Sequence, residues 1–390
     1  MNIGLVIISV PGGGAETVVY NLHNHLSKKG HKVTLIANEE FFTWDPPINC
    51  DKINLKHLLD PKFIIKSIFG IGVLPKIIVE KKKLIIPILL DVYFKKEIKH
   101  IIRDITNKKI DVLHFHDPYG LKIYKHLSKI SDIPCIYTFH GKDIDLYFYT
   151  KGAKHNFIKI VNSINAITTV SKSMKDYLVS NGIRSDINVI SNGIDFEQIN
   201  NIIKSNPEVN YDKKYTIIFS GGQKKNKGGE ILLEAIKIVK NQNDNIKLYY
   251  CGFVNNDFMK KYQDKDVIFT GYKPYKEYLK LLSTCDCLIS LSKEEAFPLA
   301  ILEAMGFGKI ILTTPVGGIP EFFIDGVNGF FVERDPQRIA EKIIVLMNNQ
   351  NILINISKNN IQYAKKFQWN NIADQYIKAY KQIIPPDIKK

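Results

Sequence analysis

The stretch Ser292–Glu321 reads SKEEAFPLAILEAMGFGKIILTTPVGGIPE, and it is the part of the chain that most readily predicts a fold. Pro298 fits the first turn of a helix, because the N–H that proline lacks would have no partner there. Glu295 is therefore expected in the loop before the helix and Glu303 within the helix. The two carboxylates can then hold two parts of one ligand, although an isolated pair of this kind is more often a pair of solvated surface charges.

The residues around the two acids extend this pattern. The apolar run Ile310 to Leu312 predicts a buried strand, and Gly317-Gly318 predicts a turn whose backbone N–H groups can face an anion. This stretch resembles the nucleotide-sugar site of the retaining glycosyltransferases of family 4, which have the GT-B fold. The resemblance lies in the order of its parts: acid, aromatic residue, proline, apolar residue, acid, Ala-Met-Gly, strand and Val-Gly-Gly-Ile-Pro-Glu. The resemblance implies that Glu303 binds the ribose hydroxyls of the donor and that Glu295 lies beside the donor sugar.

The length and composition are typical of a soluble protein with two domains. The chain has 390 residues, of which 45% are hydrophobic and 24% are charged, and each half is long enough to bury a core. The opening MNIGLVIISVPGGG has no basic segment before its apolar run, so it predicts a first strand and not a signal peptide. The cysteines are odd in number and lack Cys-x-x-Cys spacing, which favours buried thiols over a metal site. A reducing compartment is therefore expected. The cysteines are Cys50, Cys135, Cys251, Cys285 and Cys287.

The positive charge is concentrated in one segment of the first half. The formal net charge is +15, and residues 51–110 contain 14 Lys and Arg against 6 Asp and Glu. This segment also has apolar runs, but its longest uncharged run, Ser67 to Pro75, is far too short to span a membrane. Basic and apolar residues together favour peripheral contact with an anionic membrane. A basic helical pair with an ordinary buried face is the alternative, and no nucleic-acid module is recognisable.

The N-terminal residues predict the first unit of a doubly wound sheet: a strand over residues 2–9, a turn over Gly12 to Gly14, a helix from Ala15 to Lys28 and a strand from Lys32 to Ala37. The glycine turn is not the dinucleotide fingerprint, and no acid ends the second strand, so a nicotinamide cofactor is disfavoured. The family resemblance implies that this loop lies on the acceptor side, with contacts from Gly13, Gly14 and Glu16. Glycine turns without any ligand are nevertheless common.

Two further strands of the first half end in histidines. The strand Asp111 to His116 contains His114 and His116 and precedes Asp117, but a metal site is disfavoured because no third ligand is fixed. The strand Pro134 to Phe139 ends at His140, at the edge where parallel sheets bind ligands. A hydrogen-bonded structural histidine is the alternative. The sequence His-Gly-Lys-Asp resembles the His-Gly-x-Asp of the family, which implies that His140 lies near the transferred sugar and is a fourth acceptor-side residue.

The second half repeats the strand, glycine turn and helix pattern. A strand from Tyr215 to Ser220 precedes Gly221-Gly222, and a helix follows Lys227. A lysine at a glycine-rich helix N-terminus can bind a diphosphate. The family has an arginine five residues before this lysine, whereas this chain has Gly222. Either Lys224 or Lys225 replaces that cation, or the backbone of Gly221 and Gly222 makes more of the contact.

Taken residue by residue, the resemblance implies catalytic roles for His140, Glu295 and Lys227. The loop after the strand Val267 to Gly271 borders the nucleotide base in the family, so Tyr272 and Lys273 are expected base contacts. The donor site implied by the resemblance comprises Gly221, Gly222, Lys227, Tyr272, Lys273, Glu295, Ala296, Phe297, Pro298, Leu299, Glu303 and Gly317.

The predicted fold class is therefore α/β, with two doubly wound Rossmann-like domains that face a central cleft. The predicted acceptor-side domain comprises residues 1–203 and a C-terminal helix, residues 372–390, that crosses back to it. The predicted donor domain comprises residues 204–371. Residues 200–213, polar and rich in Asn and Lys, are the expected linker.

The predicted activity is transfer of a sugar from a nucleotide-diphosphate sugar, with UDP as the expected nucleotide, to a hydroxyl of a lipid-linked glycan. The resemblance implies retention of configuration, no metal and no cofactor. It suggests assembly of O-antigen, capsule or exopolysaccharide by a cytoplasmic protein at the inner face of the cell membrane. A nucleotide-sugar 2-epimerase of the same fold and a non-catalytic glycan- or lipid-binding protein are the alternatives, the latter because of Gly222.

Overall fold

The computed structural model describes residues 1–8, 13–38, 51–55, 99–141, 153–205 and 214–386. Most of the basic and apolar segment at residues 51–110 lies outside the described residues, as do Cys50 and Gly12. The chain divides into two compact units. The first unit comprises Met1–Thr168, Gly182–Asn188 and Tyr376–Lys390, and the second comprises Thr169–Asn181 and Val189–Gln375.

The first sheet has seven strands in the order β3-β2-β1-β4-β5-β6-β7. Strand β1 pairs in parallel with β2 on one side, where Ile3 is opposite Val33, and with β4 on the other, where Ile3 is opposite Val112. The order therefore reverses between β1 and β4, as the doubly wound prediction requires. The strands are β1 Asn2–Ile7, β2 Lys32–Ala37, β3 Asp51–Asn54, β4 Val112–Phe115, β5 Cys135–Phe139, β6 Ala166–Thr169 and β7 Ile187–Val189.

The second sheet has six strands in the order β10-β9-β8-β11-β12-β13, and every neighbouring pair is parallel. Here the order reverses between β8 and β11. The strands are β8 Tyr215–Ser220, β9 Ile246–Cys251, β10 Val267–Gly271, β11 Cys287–Ser290, β12 Ile310–Thr313 and β13 Phe330–Phe331. The α/β class with two doubly wound parallel sheets is confirmed.

Helices connect the strands in both units. Those described before β8 are Gly14–Lys28, 99–107, Leu121–Leu127, Ala153–Asn162, Lys172–Ser180 and Phe196–Ser205. Those after β8 are Gly229–Gln242, Asn256–Lys261, Tyr275–Thr284, Leu299–Gly306, Pro336–Met347, Gln350–Ala364 and Trp369–Ile383. Short 3₁₀ turns are formed by Lys225–Lys227, Ile319–Glu321 and Lys365–Phe367.

Both faces of the second sheet are buried. Ile217 and Phe219 of β8 pack into one hydrophobic cluster, and Ile218 packs into another on the opposite face. This alternation follows from the two-residue repeat of a strand, and it explains why the strands are continuous apolar runs. Cys285 and Cys287 are free and buried, as the sequence predicts.

The expected linker at residues 200–213 is wrong for residues 200–205, which are helical, and residues 206–213 lie outside the described residues. Residues up to Ser205 continue the helix Phe196–Ser205, whose first turn is capped by the Asp195 carboxylate at 3.0 Å from the Gln198 N–H. Ile199 and Ile202 of this helix are buried in a hydrophobic cluster of the second unit, so the predicted boundary at 203/204 falls inside a packed helix. Composition could not reveal this, because two apolar residues suffice to anchor an otherwise polar helix.

None of the helices in the described part of the chain is both long enough and apolar enough to cross a membrane.

Candidate functional site

The point of strand reversal in the second sheet lies between two loops that carry predicted site residues. Strand β8 leads into the turn with Gly221, Gly222 and Lys227, and β11 leads into the segment with Glu295. Because β8 and β11 are parallel neighbours, their carboxyl ends lie at the same edge of the sheet. Ligands of open α/β sheets bind at this edge, at the reversal of strand order.

A left-handed glycine sets the position of Lys227. The lysine ends the 3₁₀ turn Lys225–Lys227, and Gly228 follows with φ of 78° before the helix Gly229–Gln242 begins. A Cβ on Gly228 would lie 2.7 Å from both the Cβ and the carbonyl oxygen of Leu291, so the backbone there approaches closely the segment that follows β11. The close approach brings the Lys227 turn against the segment that leads to Glu295.

Lys227 and Glu295 form an ion pair across this edge. The lysine Nζ lies 2.5 Å from Glu295 Oε1, and the hydroxyl of Ser292 donates to the same oxygen at 2.6 Å. The side chains are 24% and 15% exposed, respectively, so the pair is partly shielded from water. Gly221 packs beneath the lysine, since a Cβ there would lie 2.7 Å from Lys227 Cβ.

The turn after β12 packs on the backbone of the Glu295 segment. Gly317 has φ of 54°, and a Cβ on it would lie 1.8 Å from the Glu295 carbonyl oxygen. A Cβ on Gly318 would lie 2.0 Å from the Ala296 carbonyl oxygen, and the Gly318 N–H donates to the Glu295 carbonyl at 3.0 Å. Only glycine fits both positions, so backbone packing requires the predicted Gly-Gly turn. The prediction that the Gly318 N–H can face an anion is wrong, because this N–H is bonded to the Glu295 carbonyl.

Glu303 is a buried carboxyl group on the helix Leu299–Gly306. Its exposed fraction is 4%, and the Tyr275 hydroxyl donates to its Oε1 at 2.9 Å. Burial raises the pKa of Glu303 to about 7, although the hydrogen bond from Tyr275 opposes part of this rise. Near neutral pH the group therefore titrates, and a ligand that donates hydrogen bonds to it favours the carboxylate.

The predicted stretch from Ala296 to Leu299 contains one core residue. The ring of Phe297 is 6% exposed and packs on Phe322, with ring centroids 4.4 Å apart. Its carbonyl oxygen accepts a hydrogen bond from the Asn192 side chain at 2.7 Å. Pro298 precedes the first helical residue, Leu299, whose turn contains N–H groups that have no acceptor within the helix. Phe297 therefore supports this helix N-terminus from below.

The prediction that the backbone of Gly221 and Gly222 contacts the diphosphate is wrong for their N–H groups. Both N–H groups donate to the Cys251 carbonyl oxygen, at 3.2 and 3.0 Å, so neither is available to bind a phosphate. Gly222 has φ of 55°, and a Cβ on it would lie 2.6 Å from the Phe253 carbonyl oxygen. The glycine in place of the family's arginine is therefore required by close backbone packing.

The expected base-contact loop follows β10. The side chain of Tyr272 is 57% exposed. Lys273 pairs with Glu277 at 3.7 Å, one turn along the helix Tyr275–Thr284. Both side chains lie at the carboxyl end of β10, two strands from the Lys227 turn.

In the first unit, the loop after β1 leads directly into a helix. Gly13 precedes the first helical residue, Gly14, and Glu16 lies in the first turn with 5% exposure. A Cβ on Gly13 would lie 2.5 Å from Glu16 Oε2, so the carboxylate folds back over the loop. The acceptor-side residues predicted in this loop, Gly13, Gly14 and Glu16, therefore lie together at the start of the helix.

His140, which follows β5, belongs to a group of three neighbouring histidines with His114 of β4 and His116 just after β4. Its Nε2 lies 3.1 Å from Nδ1 of His116, and the ring centroids of His116 and His114 are 3.8 Å apart. Burial lowers the pKa of His140 to about 4, and it lowers the pKa of His114 and His116 well below the ordinary value. All three imidazoles are therefore neutral near pH 7.

Asp117 has a structural role. Its carboxylate accepts hydrogen bonds from the N–H groups of Ile8 and of Gly120, the latter at 2.9 Å, and thereby joins the loops after β1 and β4. Across the part of the chain that the structure describes, no three His, Cys, Asp or Glu side chains are grouped so that they could hold a metal ion.

Sequence reasoning missed several residues that shape the second-unit site. Ser292 bonds the Glu295 carboxylate, Tyr275 bonds Glu303, and Arg334 donates to carbonyls of the Lys227 turn. Glu321 accepts from the N–H groups of Lys172 and Ser173, at 2.8 and 2.6 Å. Ser292, Tyr275 and Glu321 lie within or beside the quoted motifs and could have been proposed, whereas nothing near Arg334 in the sequence signals its partners.

Two models of known protein families match this chain. The family model described as Glycosyltransferase Family 4 matches residues 12–198, and the model described as Glycosyl transferases group 1 matches residues 201–367. The two matches abut and together span nearly the whole chain. The chain belongs to the family 4 glycosyltransferases. Its two parallel α/β sheets, with order reversals at the loops described above, agree with this assignment.

Relatives of this glycosyltransferase include an uncharacterised glycosyltransferase of Methanocaldococcus jannaschii, 29% identical over 72% of this chain and 77% of the relative. The capsular polysaccharide biosynthesis glycosyltransferase CapM of Staphylococcus aureus is 23% identical over 75% of this chain and 84% of the relative. A third relative is the N,N'-diacetylbacillosaminyl-diphospho-undecaprenol alpha-1,3-N-acetylgalactosaminyltransferase of Campylobacter jejuni, 30% identical over 28% of this chain and 29% of the relative.

Among solved structures, HepE of Anabaena in complex with UDP-glucose has a TM-score of 0.75 and 18% identity. The match covers 98% of this glycosyltransferase and 100% of HepE. At this identity the likeness concerns the GT-B fold alone.

Proposed function

We propose that the chain is a retaining glycosyltransferase that transfers a sugar from a UDP-sugar to a hydroxyl of a lipid-linked saccharide. The observation that carries the proposal is the Lys227–Glu295 pair at the reversal of strand order in the second sheet. A cation and a carboxylate in contact there can bind the diphosphate and the sugar of one donor. HepE, which has the same fold, was crystallised with UDP-glucose, and this supports UDP as the nucleotide.

The main chemical demand of the reaction is the negative charge that develops on the leaving diphosphate. In the proposal, the Lys227 ammonium group and the N–H groups in the first turn of the helix Leu299–Gly306 stabilise this charge, with the helix dipole acting in the same direction. A divalent metal is then not needed, because protein groups supply the positive potential. Gly221 and Gly222 contribute through their shape, since their N–H groups are bonded to Cys251.

The remaining donor contacts follow from burial and hydrogen bonding. Glu303 accepts hydrogen bonds from the ribose hydroxyls, which favours its carboxylate form although its pKa is about 7 in the protein alone. Tyr272 and Lys273 border the base. Glu295 orients the sugar and leaves the lysine when the diphosphate replaces it as the partner of Lys227.

His140 and Glu16 are proposed to act on the sugar and on the acceptor side, respectively. His140 is neutral near pH 7, so it serves as a hydrogen-bonding group and not as a cation. Retention then needs no carboxylate nucleophile. The acceptor attacks the face from which the diphosphate leaves, and a departing phosphate oxygen receives the acceptor's proton.

The proposed acceptor is a saccharide on a polyprenyl diphosphate, in the assembly of O-antigen, capsule or exopolysaccharide. The named activity of the Campylobacter relative and the named process of the Staphylococcus relative support this acceptor class. The basic and apolar residues within 51–110 support a cytoplasmic protein that contacts the inner face of the membrane. Sedimentation with anionic vesicles, and its loss when Lys81, Lys82 and Lys83 are replaced by serine, would test this contact.

The test of the donor site is binding of a panel of nucleoside diphosphates and their sugars by titration calorimetry, with and without EDTA. We expect metal-independent binding of UDP and of one UDP-sugar, weakened about 10- to 100-fold by Lys227→Ala and by Glu303→Ala, since each loses hydrogen bonds to a charged group. Lys237→Ala is the control, because Lys237 is exposed and its described partners, Glu234 and the ring of Tyr262, are not among the proposed donor-site residues. Failure of every nucleotide to bind would contradict the proposal, and release of a free epimer without acceptor would indicate an epimerase.

A further inference from the structure

Arg334 joins the two segments that carry Lys227 and Glu295. It follows β13 and is half-buried. Its Nη1 donates to the carbonyl oxygen of Asn226 at 2.9 Å and to that of Leu291, and its Nη2 donates to the carbonyl oxygen of Lys225 at 3.2 Å. One guanidinium group therefore bonds three main-chain carbonyls in two loops.

The carbonyls that Arg334 bonds lie directly beside the ion pair. Lys225 and Asn226 are the two residues before Lys227 in the 3₁₀ turn. Leu291 immediately precedes Ser292, whose hydroxyl bonds Glu295. The two loops share one further link, a hydrogen bond from the Lys293 N–H to the Asn226 carbonyl at 2.8 Å.

The planar guanidinium group suits this position better than an ammonium group would. Its nitrogens are held in a fixed fork, so they fix the relative position of the carbonyls that they bond. No Asp or Glu among the described residues forms an ion pair with Arg334, so its side chain is committed to main-chain carbonyls. Arg338, one turn further along, differs: it is exposed and lies 3.4 Å from Glu341.

We propose that Arg334 is a positioning residue of the donor site, which holds the Lys227 turn against the Glu295 segment so that the Lys227 ammonium group meets the diphosphate. This inference rests on the proposed function, because it assumes that Lys227 binds the donor. It explains in physical terms how the chain can bind a donor diphosphate with Gly222 at the position where its family has an arginine. Arg334 acts on Lys227 through the carbonyls of Lys225 and Asn226 in the same turn, and the ligand does not need to touch it.

The test compares UDP affinity and donor KM in single and double variants. We expect Arg334→Met to weaken UDP binding about tenfold and to raise the donor KM by a similar factor with a smaller change in kcat, as the loss of a bonded charged group predicts. Arg334→Lys keeps a cation with N–H donors but removes the planar fork, so its loss should be intermediate. Arg338→Met is the matched control and should bind UDP as the wild type does.

A double-mutant cycle with Lys227→Ala distinguishes positioning from general destabilisation. If Arg334 acts through Lys227, Arg334→Met should change UDP affinity less than about twofold when Lys227 is already alanine. Equal losses in both backgrounds would overturn the inference, as would wild-type affinity in Arg334→Met. Should Arg334→Met fail to fold, the same cycle with Arg334→Lys decides. If Lys227→Ala alone leaves UDP affinity unchanged, the donor-site proposal fails instead.

Discussion

The Nζ of Lys227 lies 2.5 Å from Oε1 of Glu295, and the Ser292 hydroxyl donates to the same oxygen at 2.6 Å. A single carboxylate oxygen thus accepts two hydrogen bonds. In the protein without a ligand, the positive charge proposed to bind the donor diphosphate is already paired with a carboxylate. If Lys227 binds the donor as proposed, an incoming diphosphate competes with Glu295, and we expect the two residues to make opposite contributions to nucleotide affinity.

Glu295→Gln should separate nucleotide binding from sugar transfer. The amide removes the negative charge that competes with the diphosphate, so we expect UDP affinity to stay equal or to rise several-fold. Transfer should fall about 100-fold, because the carboxylate that orients the sugar is lost. Calorimetry and a transfer assay measure the two effects. If Glu295→Gln weakens UDP binding as much as Lys227→Ala does, the competition argument is wrong.

The sequence was sufficient to predict the parallel sheets and the pairing of loops at their carboxyl edges. Tyr215–Ser220 and Val267–Gly271 are strands with the predicted bounds. Lys227 and Glu295 are far apart in sequence, but they meet because they follow adjacent parallel strands. Local patterns predict the strands, the turns and the edge at which such sheets bind ligands, whereas the choice of Lys227 and Glu295 as site residues follows from the family resemblance.

Other features depend on contacts that no local pattern contains. The glycine turn predicts that the N–H groups of Gly221 and Gly222 can bind a phosphate, yet both donate to the Cys251 carbonyl of the neighbouring strand. Arg334 bonds carbonyls more than 40 residues away, and a carbonyl acceptor can belong to any residue type. Ile199 and Ile202 are the buried residues of the helix Phe196–Ser205, and the polar composition from residue 200 onward indicated a linker.

Glu303→Gln should stabilise the protein in a pH-dependent manner. Burial raises the pKa of Glu303 from 4.5 to about 7, so between these values the unfolded chain binds fewer protons than the folded protein, and stability falls as pH rises. The neutral amide lacks this penalty. We expect a gain of up to about 3 kcal/mol in the free energy of unfolding at pH 8, and little gain at pH 4.5. Urea unfolding at both pH values measures it.

The same variant should bind the donor poorly, which distinguishes a ligand-binding carboxylate from a structural one. The diphosphate of a UDP-sugar does not titrate between pH 5 and 8, so its affinity reports the protein. For the wild type we expect the affinity for the UDP-sugar to rise through pH 7 as Glu303 ionises. For Glu303→Gln we expect this affinity to be lower and independent of pH. Tyr275→Phe serves as the control, since it removes a bond to Glu303 but keeps the carboxyl group. A pH-independent wild type would contradict the assignment.

Restoring the family's arginine at Gly222 should not improve the site. The residue has φ of 55°, and a Cβ would lie 2.6 Å from the Phe253 carbonyl oxygen, so any side chain meets both backbone strain and a clash with main chain. We expect Gly222→Ala and Gly222→Arg to lower the free energy of unfolding by about 2 kcal/mol or more. Gly326→Ala is the control, because Gly326 has φ of 74° with no atom within 4 Å of the added Cβ. An equal loss of unfolding free energy in Gly222→Ala and Gly326→Ala would contradict the proposed clash at Gly222.

The buried histidines of the first unit should make the protein sensitive to mild acid. His114 is fully buried, with Nδ1 2.8 Å from the Tyr380 hydroxyl and Nε2 2.6 Å from the Thr138 hydroxyl. Burial holds the pKa of His114 well below 6.5. Below pH 6.5 the unfolded chain therefore binds a proton that the folded protein does not, and stability falls as pH falls, by about 1.4 kcal/mol per pH unit for this residue.

Removal of this histidine should flatten the acid limb of the stability curve. His114→Gln loses hydrogen bonds and is expected to be less stable than the wild type at pH 7. Between pH 6.5 and pH 5 its free energy of unfolding should fall less steeply than that of the wild type, because one proton fewer is taken up on unfolding. Tyr380→Phe removes a partner of His114 without removing the imidazole, so it should lower stability and keep the slope. Urea unfolding at half-unit pH steps measures both slopes. An unchanged slope in His114→Gln would mean that this imidazole is already protonated in the folded protein, and the neutral histidine cluster around His140 would have to be abandoned with it.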